Sequence, residues 1–161
     1  MEQRIKLYDD VAWSYEYTLK TYMKTNRKSM GELTEADKAE IYEWAGIHIA
    51  FFITWLVNND FQSDYFSSDS IQQLKSEEIT GIEFLKEYCD GKLVSDMIKD
   101  DVIPFVSSIY NERYFNNHYA KWVMTVLNDL PLEFGWNWDD CHEYEKYLTT
   151  IYLEPKESTD K

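Results

Sequence analysis

The chain has 161 residues, of which 17% are aromatic, and its 16 basic and 30 acidic side chains give a formal charge of −14. This length suits one ordinary hydrophobic core and is short for two. The negative charge argues against nucleic acid or a membrane surface as a partner; it favours a basic protein, or else it serves solubility alone. Charged residues at positions 2, 4 and 6 precede any apolar run, so we expect no signal peptide and a cytoplasmic location.

The first predicted element is a helix that Asp9 or Asp10 can cap and that fades near Lys24. The polar stretch from Thr25 to Glu32 then forms a loop and contains a basic cluster. The residues that we expect to face the core from this helix recur at helical spacing: Tyr8, Ala12, Tyr15, Leu19 and Tyr22.

A long apolar helix follows and is the predicted centre of the fold, over residues 35–59. Thr34 with an acidic residue three positions later resembles a capping box, which places the start of the helix near Glu35. Between Ala45 and Val57 apolar side chains occupy nearly every side, so other elements must cover the helix nearly all round. This apolar stretch is shorter than the about 20 residues that a membrane span needs.

Shorter helices are predicted after the polar loop that follows Asp60. One starts at Asp69 or Ser70. Another is capped by Thr80 and ends at the turn 89–91, where a glycine can adopt the left-handed conformation of a helix end.

A further helix has Pro104 in its first turn and Asp100 or Asp101 as its cap. It breaks or frays at residues 116–117 before an apolar stripe that Pro131 ends. Together with a last helix, these elements predict an all-α fold: a single helical domain of about five to seven helices, spanning residues 1–161 with a frayed charged tail at 154–161. The expected caps of the last helix are Asp139 and Asp140.

His48 lies on an apolar face of the central helix. We interpret it as a structural core histidine, neutral and bonded to a carbonyl group or a Tyr hydroxyl. A functional role would instead require a carboxylate partner, for which Asp9, Asp10 and Asp90 are the candidates.

The other reactive side chains form no complete motif. His142 and Glu143 begin like a metalloprotease helix, but Lys146 occupies the position of the second histidine. Cys89 and Cys141 share no spacing pattern, so we expect two reduced, buried thiols. The sequence therefore predicts no metal, no cofactor and no catalytic residues. A small hydrolase or metal-dependent enzyme that uses His48 or the cluster 139–143 is the alternative.

Two stretches combine aromatic rings with carboxylates, which suits the binding of a basic protein surface. One is the loop after Asp60, and the other contains Trp136 and Trp138, of which one or both could instead fill the core. Residues 60–101 carry eleven acidic side chains against four lysines, which is half of the net charge. The predicted partner-binding residues are Asp64, Tyr65, Phe66, Asp69, Trp138, Asp139 and Asp140.

The segments YDDVAWSY, AGIHIAFFITWLVNN and TGIEFLKEYCDGKL, followed by a Tyr-rich helix, resemble an uncharacterised bacterial domain family. Its members tend to share a Tyr-Asp-Asp-x-x-Trp opening, an apolar helix with a histidine, and a Cys-Asp-Gly-Lys-Leu turn. The resemblance runs from Tyr8 to about Tyr147. Between Trp13 and Ile47 this chain is longer and more basic than the family pattern, which makes that region a candidate for partner specificity.

Members of this family are similar to immunity proteins of bacterial toxin systems. The resemblance thus implies a cytoplasmic protein that binds and neutralises a cognate toxin, with a basic domain such as a nuclease as the partner. A structural or regulatory homodimer is a second alternative, which the high aromatic content favours.

Overall fold

The fold is built on its longest helix, which other elements surround on nearly every side. We describe residues 5–153 of a computed structural model; the predicted tail 154–161 lies outside this range. In chain order the elements are β1 (Leu7–Asp10), α1 (Ala12–Asn26), α2 (Glu35–Asn58), α3 (Ser68–Lys75), α4 (Gly81–Tyr88), β2 (Lys92–Val94), α5 (Ile103–Asn111), α6 (Ala120–Trp122) and α7 (Trp138–Leu153). The predominantly helical fold that the sequence predicts is confirmed.

Helix α2 forms where the sequence places it. The Thr34 hydroxyl accepts a bond from the Asp37 backbone N–H, and the Asp37 carboxylate accepts one from the Thr34 N–H, which completes the predicted capping box. From Trp44 to Val57 every residue is buried, because α1, α3, α4, α7 and both strands pack around the helix. No helix within residues 5–153 is long and apolar enough to cross a membrane.

The two short strands are absent from the sequence prediction. β1 pairs antiparallel with β2, with Asp9 opposite Leu93 and a bulge between Leu7 and Asp9. Tyr8 therefore belongs to a strand and not to the first helix, and Ala12 is exposed. Both strands are too short to show the alternation that identifies a strand in a sequence.

Helix ends were predicted correctly where a capping box or a glycine marks them. Thr80 and Glu83 form the second capping box at the start of α4. Gly91, with φ +72°, makes the turn after α4 and accepts the Val11 N–H at its carbonyl. This turn holds the beginning of α1 against the end of α4.

Two predicted caps are wrong, and a third is correct in part. Val11 precedes α1, although the Asp10 carboxylate accepts the N–H of Ala12, the first residue of that helix. Val102 precedes α5, which has no side-chain cap. Asp100 lies too early in the chain, because its carbonyl already accepts the Ile103 N–H in a preceding turn. At α7 the cap is Asn137, whose side chain accepts the Asp140 N–H, so the predicted Asp139 and Asp140 lie in the first turn.

The helical region after α5 is interrupted earlier than the sequence indicates. The break is at Arg113, which has a left-handed backbone with φ 61°. The chain is helical again through residues 116–117 as a π-helical turn, Phe115–Tyr119, and a second π-helical turn, Val123–Leu127, follows α6. Such turns are common near functional sites, where they redirect side chains.

Candidate functional site

The structure places His48 of α2 directly behind Asp9 of β1. His48 is 2% exposed, and its Nε2 lies 3.4 Å from Asp9 Oδ2. The Tyr110 hydroxyl, from α5, donates to the same oxygen at 2.9 Å. The ring thus faces a carboxylate, and not the carbonyl or Tyr hydroxyl that we expected, because the bulged strand β1 brings Asp9 across α2. Nδ1 of His48 is buried and has no partner among the described residues.

A chain of tyrosine hydroxyls extends this polar centre through the core. The Tyr114 hydroxyl donates to the His48 carbonyl at 2.9 Å and accepts from Tyr144 of α7 at 3.0 Å. Burial raises the pKa of Tyr110, Tyr114 and Tyr144, so all three remain protonated donors. These bonds tie β1, α2, α5 and α7 to one another.

A small cleft of about 220 Å³ opens over Asp9. Its walls include the rings of Tyr8, Trp13 and Phe115, and Arg113 lies at its rim. Trp13 is 63% exposed and Phe115 packs edge-on against the His48 ring, 4.8 Å between centroids. Asp9 lines the cleft but His48 does not, so a bound molecule would reach the carboxylate and not the imidazole.

Helix α1 presents a second exposed ring beside this cleft. Tyr17 is one helical turn after Trp13 and is 66% exposed. It borders a hollow of about 340 Å³ together with Phe115, Pro131 and Leu132. These residues have no predicted role, although Trp13 and Tyr17 are four residues apart and lie off the predicted buried stripe, which indicates a separate face of the helix. We call Trp13, Tyr17, Phe115, Pro131 and Leu132 the aromatic surface.

On the other side of Tyr8 lies a larger groove of about 740 Å³. The carboxylates of Asp64, Asp96 and Asp100 line it and are exposed, and within residues 5–153 none of them forms an ion pair. Among the described residues, the cationic side chain that lines it is Lys6, which lies over the Tyr8 ring. We call this feature the acidic groove; it shares Tyr8 with the cleft over Asp9.

The predicted partner-binding residues divide into two groups. Asp64 lines the acidic groove, and Tyr65 (50% exposed) and Asp69 lie near the start of α3. Phe66 packs inward on Phe84. The second group, Trp138, Asp139 and Asp140, lies at the start of α7. His142 in the same helix bonds to Glu77, which follows the C-terminal end of α3.

Trp138 of the second group and its neighbour Trp136 are both partly buried. Trp136 packs on Phe51 and lies directly against Gly81, where a Cβ atom would be 2.5 Å from its ring. Its backbone N–H donates to the Glu43 carboxylate. Trp138 contacts the Trp136 ring edge-on and stacks on His142. Trp136 therefore fills a gap beside α4, and Trp138 covers it.

His142 lies between two carboxylates, Glu77 at 2.9 Å and Glu145 at 3.1 Å. Burial lowers the pKa of His142, but the hydrogen bonds from Glu145 and Glu77 outweigh this effect and raise it above 6.5. The carboxyl group of Asp140 also has a raised pKa, through burial and the neighbouring Asp139 charge. Within residues 5–153 no three His, Cys, Asp or Glu side chains are arranged to hold a metal ion.

Both cysteines are free and buried. Burial raises the pKa of Cys89 and Cys141 far above that of an exposed thiol. Neither is therefore activated as a nucleophile.

The chain belongs to the family described as Domain of unknown function (DUF7832), which it matches over residues 7–133. This confirms the predicted membership of an uncharacterised domain family; the match ends before α7, short of the expected Tyr147. It includes Asp9, His48 and Tyr110 and leaves out the stretch 134–140. No curated protein and no solved structure matches the chain.

Proposed function

We propose that this protein binds and neutralises a cognate bacterial toxin, as an immunity protein does, by covering a basic surface of that toxin. The observation that carries the proposal is the acidic groove, whose three carboxylates on Asp64, Asp96 and Asp100 have no ion-pair partner within the described residues. Carboxylates that are not neutralised internally remain available to attract and orient a basic partner.

The surroundings of the groove suit a protein partner. Tyr8 borders it, and Tyr65 is half exposed close to Asp64. An exposed tyrosine such as Tyr65 supplies contact area at protein interfaces, while carboxylates govern the rate of association. Nucleic acid is disfavoured because the whole chain carries a charge of −14. The likeness to immunity proteins supplies the toxin as the partner, and a nuclease, which needs a basic cleft for its substrate, fits this charge.

The proposal does not require a catalytic step. It requires a stable complex with the toxin domain encoded beside this protein, and inhibition of the toxin when the two are mixed. Titration calorimetry at low and high salt tests it. We expect a 1:1 complex whose affinity falls as salt rises, because the groove contributes through exposed charges. Failure to form a complex at low salt would refute the proposal.

A further inference from the structure

We propose that the cleft over Asp9 is a socket for one cationic side chain, arginine or lysine, of the basic partner. This inference rests on the proposed function and adds where a specific residue of the partner binds. Five aromatic residues line the cleft together with the Asp9 carboxylate: Tyr8, Trp13, Tyr110, Tyr114 and Phe115. Aromatic faces attract cations, and a carboxylate provides the opposite charge and hydrogen-bond acceptors.

Asp9 has acceptor capacity left for an incoming cation. Its Oδ2 atom accepts from Tyr110 and faces His48, whereas Oδ1 accepts only the Asp10 backbone N–H among the described residues. A carboxylate offers about four acceptor positions, so donors from a guanidinium or ammonium group can be accommodated. The bonds from Tyr110 and the contact with His48 hold the carboxylate in place before the partner arrives.

The size of the cleft favours a side chain over a free metabolite. Pockets for small molecules typically enclose about 300–1,000 Å³. This cleft, at about 220 Å³, is smaller and lies between β1, Trp13 of α1 and the segment 110–116. One long side chain can lie along Trp13 and Phe115 with its charged end towards Asp9.

The position of the cleft connects it to the acidic groove. Tyr8 lines both, so a basic segment of a partner in the groove brings its neighbouring side chains to the cleft. On the other side the aromatic surface continues with Tyr17, which lies next to Phe115 across the second hollow. Exposed Trp and Tyr at adjacent helical turns are the kind of anchor that dominates binding energy at interfaces.

Arg113 beside the cleft provides a way to test whether the bound group is a cation or an anion. It is exposed and forms no ion pair within residues 5–153. A cation in the cleft is repelled by Arg113, whereas an anion would be held by it. Removal of this positive charge therefore has opposite effects on the two classes of occupant.

The experiment uses the whole protein labelled with 5-fluorotryptophan and the probe N-acetyl-arginine amide, with N-acetyl-citrulline amide as the uncharged analogue. The ¹⁹F resonance of Trp13 is assigned by Trp13→Phe. We expect it to move with the arginine probe and to require about tenfold more of the citrulline probe, which lacks the charge. Asp9→Asn should weaken binding of the arginine probe, with circular dichroism confirming the fold.

Arg113→Gln provides a variant that leaves the buried centre untouched, and we expect it to tighten binding of the arginine probe about threefold through loss of like-charge repulsion. Lys38→Gln removes the same charge about 15 Å along α2 from His48 and should leave binding unchanged. Equal binding of the two probes, no movement of the Trp13 resonance, or weaker binding by Arg113→Gln would each overturn the socket. Because no toxin is used in this experiment, each of these results would overturn the socket without refuting the proposed function. Conversely, failure to form a toxin complex would refute the proposed function without changing the measured preference of the cleft for the arginine probe.

Discussion

His48 and the hydroxyls around it show how one buried residue links four elements. Its backbone carbonyl accepts from Tyr114, which in turn accepts from Tyr144, and its ring faces Asp9. Buried polar groups are retained in a core when each finds a partner, and a lost partner costs more than the bond itself contributes. The hydroxyl of Tyr114 is central in this sense, because it is donor and acceptor at once.

Tyr114→Phe should therefore lower the free energy of unfolding by about 1–3 kcal/mol, since it removes the second bond that the helical His48 carbonyl accepts and leaves the Tyr144 hydroxyl without its acceptor. Tyr65→Phe removes a hydroxyl from a half-exposed ring and should have almost no effect. Urea denaturation of both variants measures the difference. Equal stability of Tyr114→Phe and the parent would show that the hydroxyl chain does not hold these elements together.

At the scale of elements, the sequence predicted correctly the helices whose ends are marked by nearby side chains or by glycine. The central helix has a capping box at Thr34 and an apolar surface on all sides, and α4 ends at a glycine. The strands could not be predicted, because β1 and β2 are stabilised by each other and by packing on α2, which no short window displays. The pairing of His48 with Asp9 depends on β1 and was for this reason only one of three alternatives in the sequence.

The start of α7 is held to the turn after α3 by an ionisable contact. His142 bonds Glu77 from that turn and Glu145 from its own helix, and Trp138 stacks on its ring. Its pKa is raised in the folded protein relative to the usual 6.5. The stabilisation is therefore complete below the pKa of the unfolded chain and is lost as pH rises through the pKa of the folded protein.

His142→Gln should consequently destabilise the protein at about pH 6 and much less at about pH 8.5, where the imidazole of the parent has lost its charge. Glu77→Gln should reduce the same pH dependence by removing one of the two carboxylate partners. Glu78→Gln is the matched control, because this neighbouring carboxylate accepts from Ser76 instead. Denaturation midpoints at several pH values give the result. A pH-independent loss in His142→Gln would mean that packing on Trp138, and not charge, holds α7.

At the scale of the whole molecule, the acidity of the middle segment was evident from the sequence, but the groove was not. Asp64 is far in the chain from Asp96 and Asp100, and the fold brings all three to one groove beside Tyr8. The predicted binding residues at Trp138 do not join those at Asp64, because α3 lies between the two groups. The aromatic surface went unnoticed, because exposure of Trp13 and Tyr17 depends on which face of α1 meets α2.

The residues covered by the family match divide the candidate binding surfaces into two sets. The cleft over Asp9, the aromatic surface and the acidic groove apart from Lys6 lie within residues 7–133, whereas α7 with Trp138 lies beyond the match. We expect the first set to carry the binding mode that members share. The start of α7, beyond the match, is then a candidate for distinguishing one partner from another. The basic segment 25–28, at the end of α1 and the turn after it, is a second candidate, although it lies within the match.

The most direct test of the proposed function is the rate at which the protein associates with a toxin domain, which the proposal expects to be encoded beside it. The double variant Asp64→Lys and Asp100→Lys reverses two charges in the acidic groove. Its control, Glu87→Lys with Glu143→Lys, makes the same change in net charge on exposed helical positions outside the groove.

In stopped-flow measurements at low salt, the account predicts that the groove variant associates about tenfold or more slowly than the parent, that the control slows far less, and that high salt removes the difference. Exposed charges contribute little to stability, so both variants should remain folded. If the groove variant and the control slow association equally, net charge alone attracts the toxin and the acidic groove is not the binding surface.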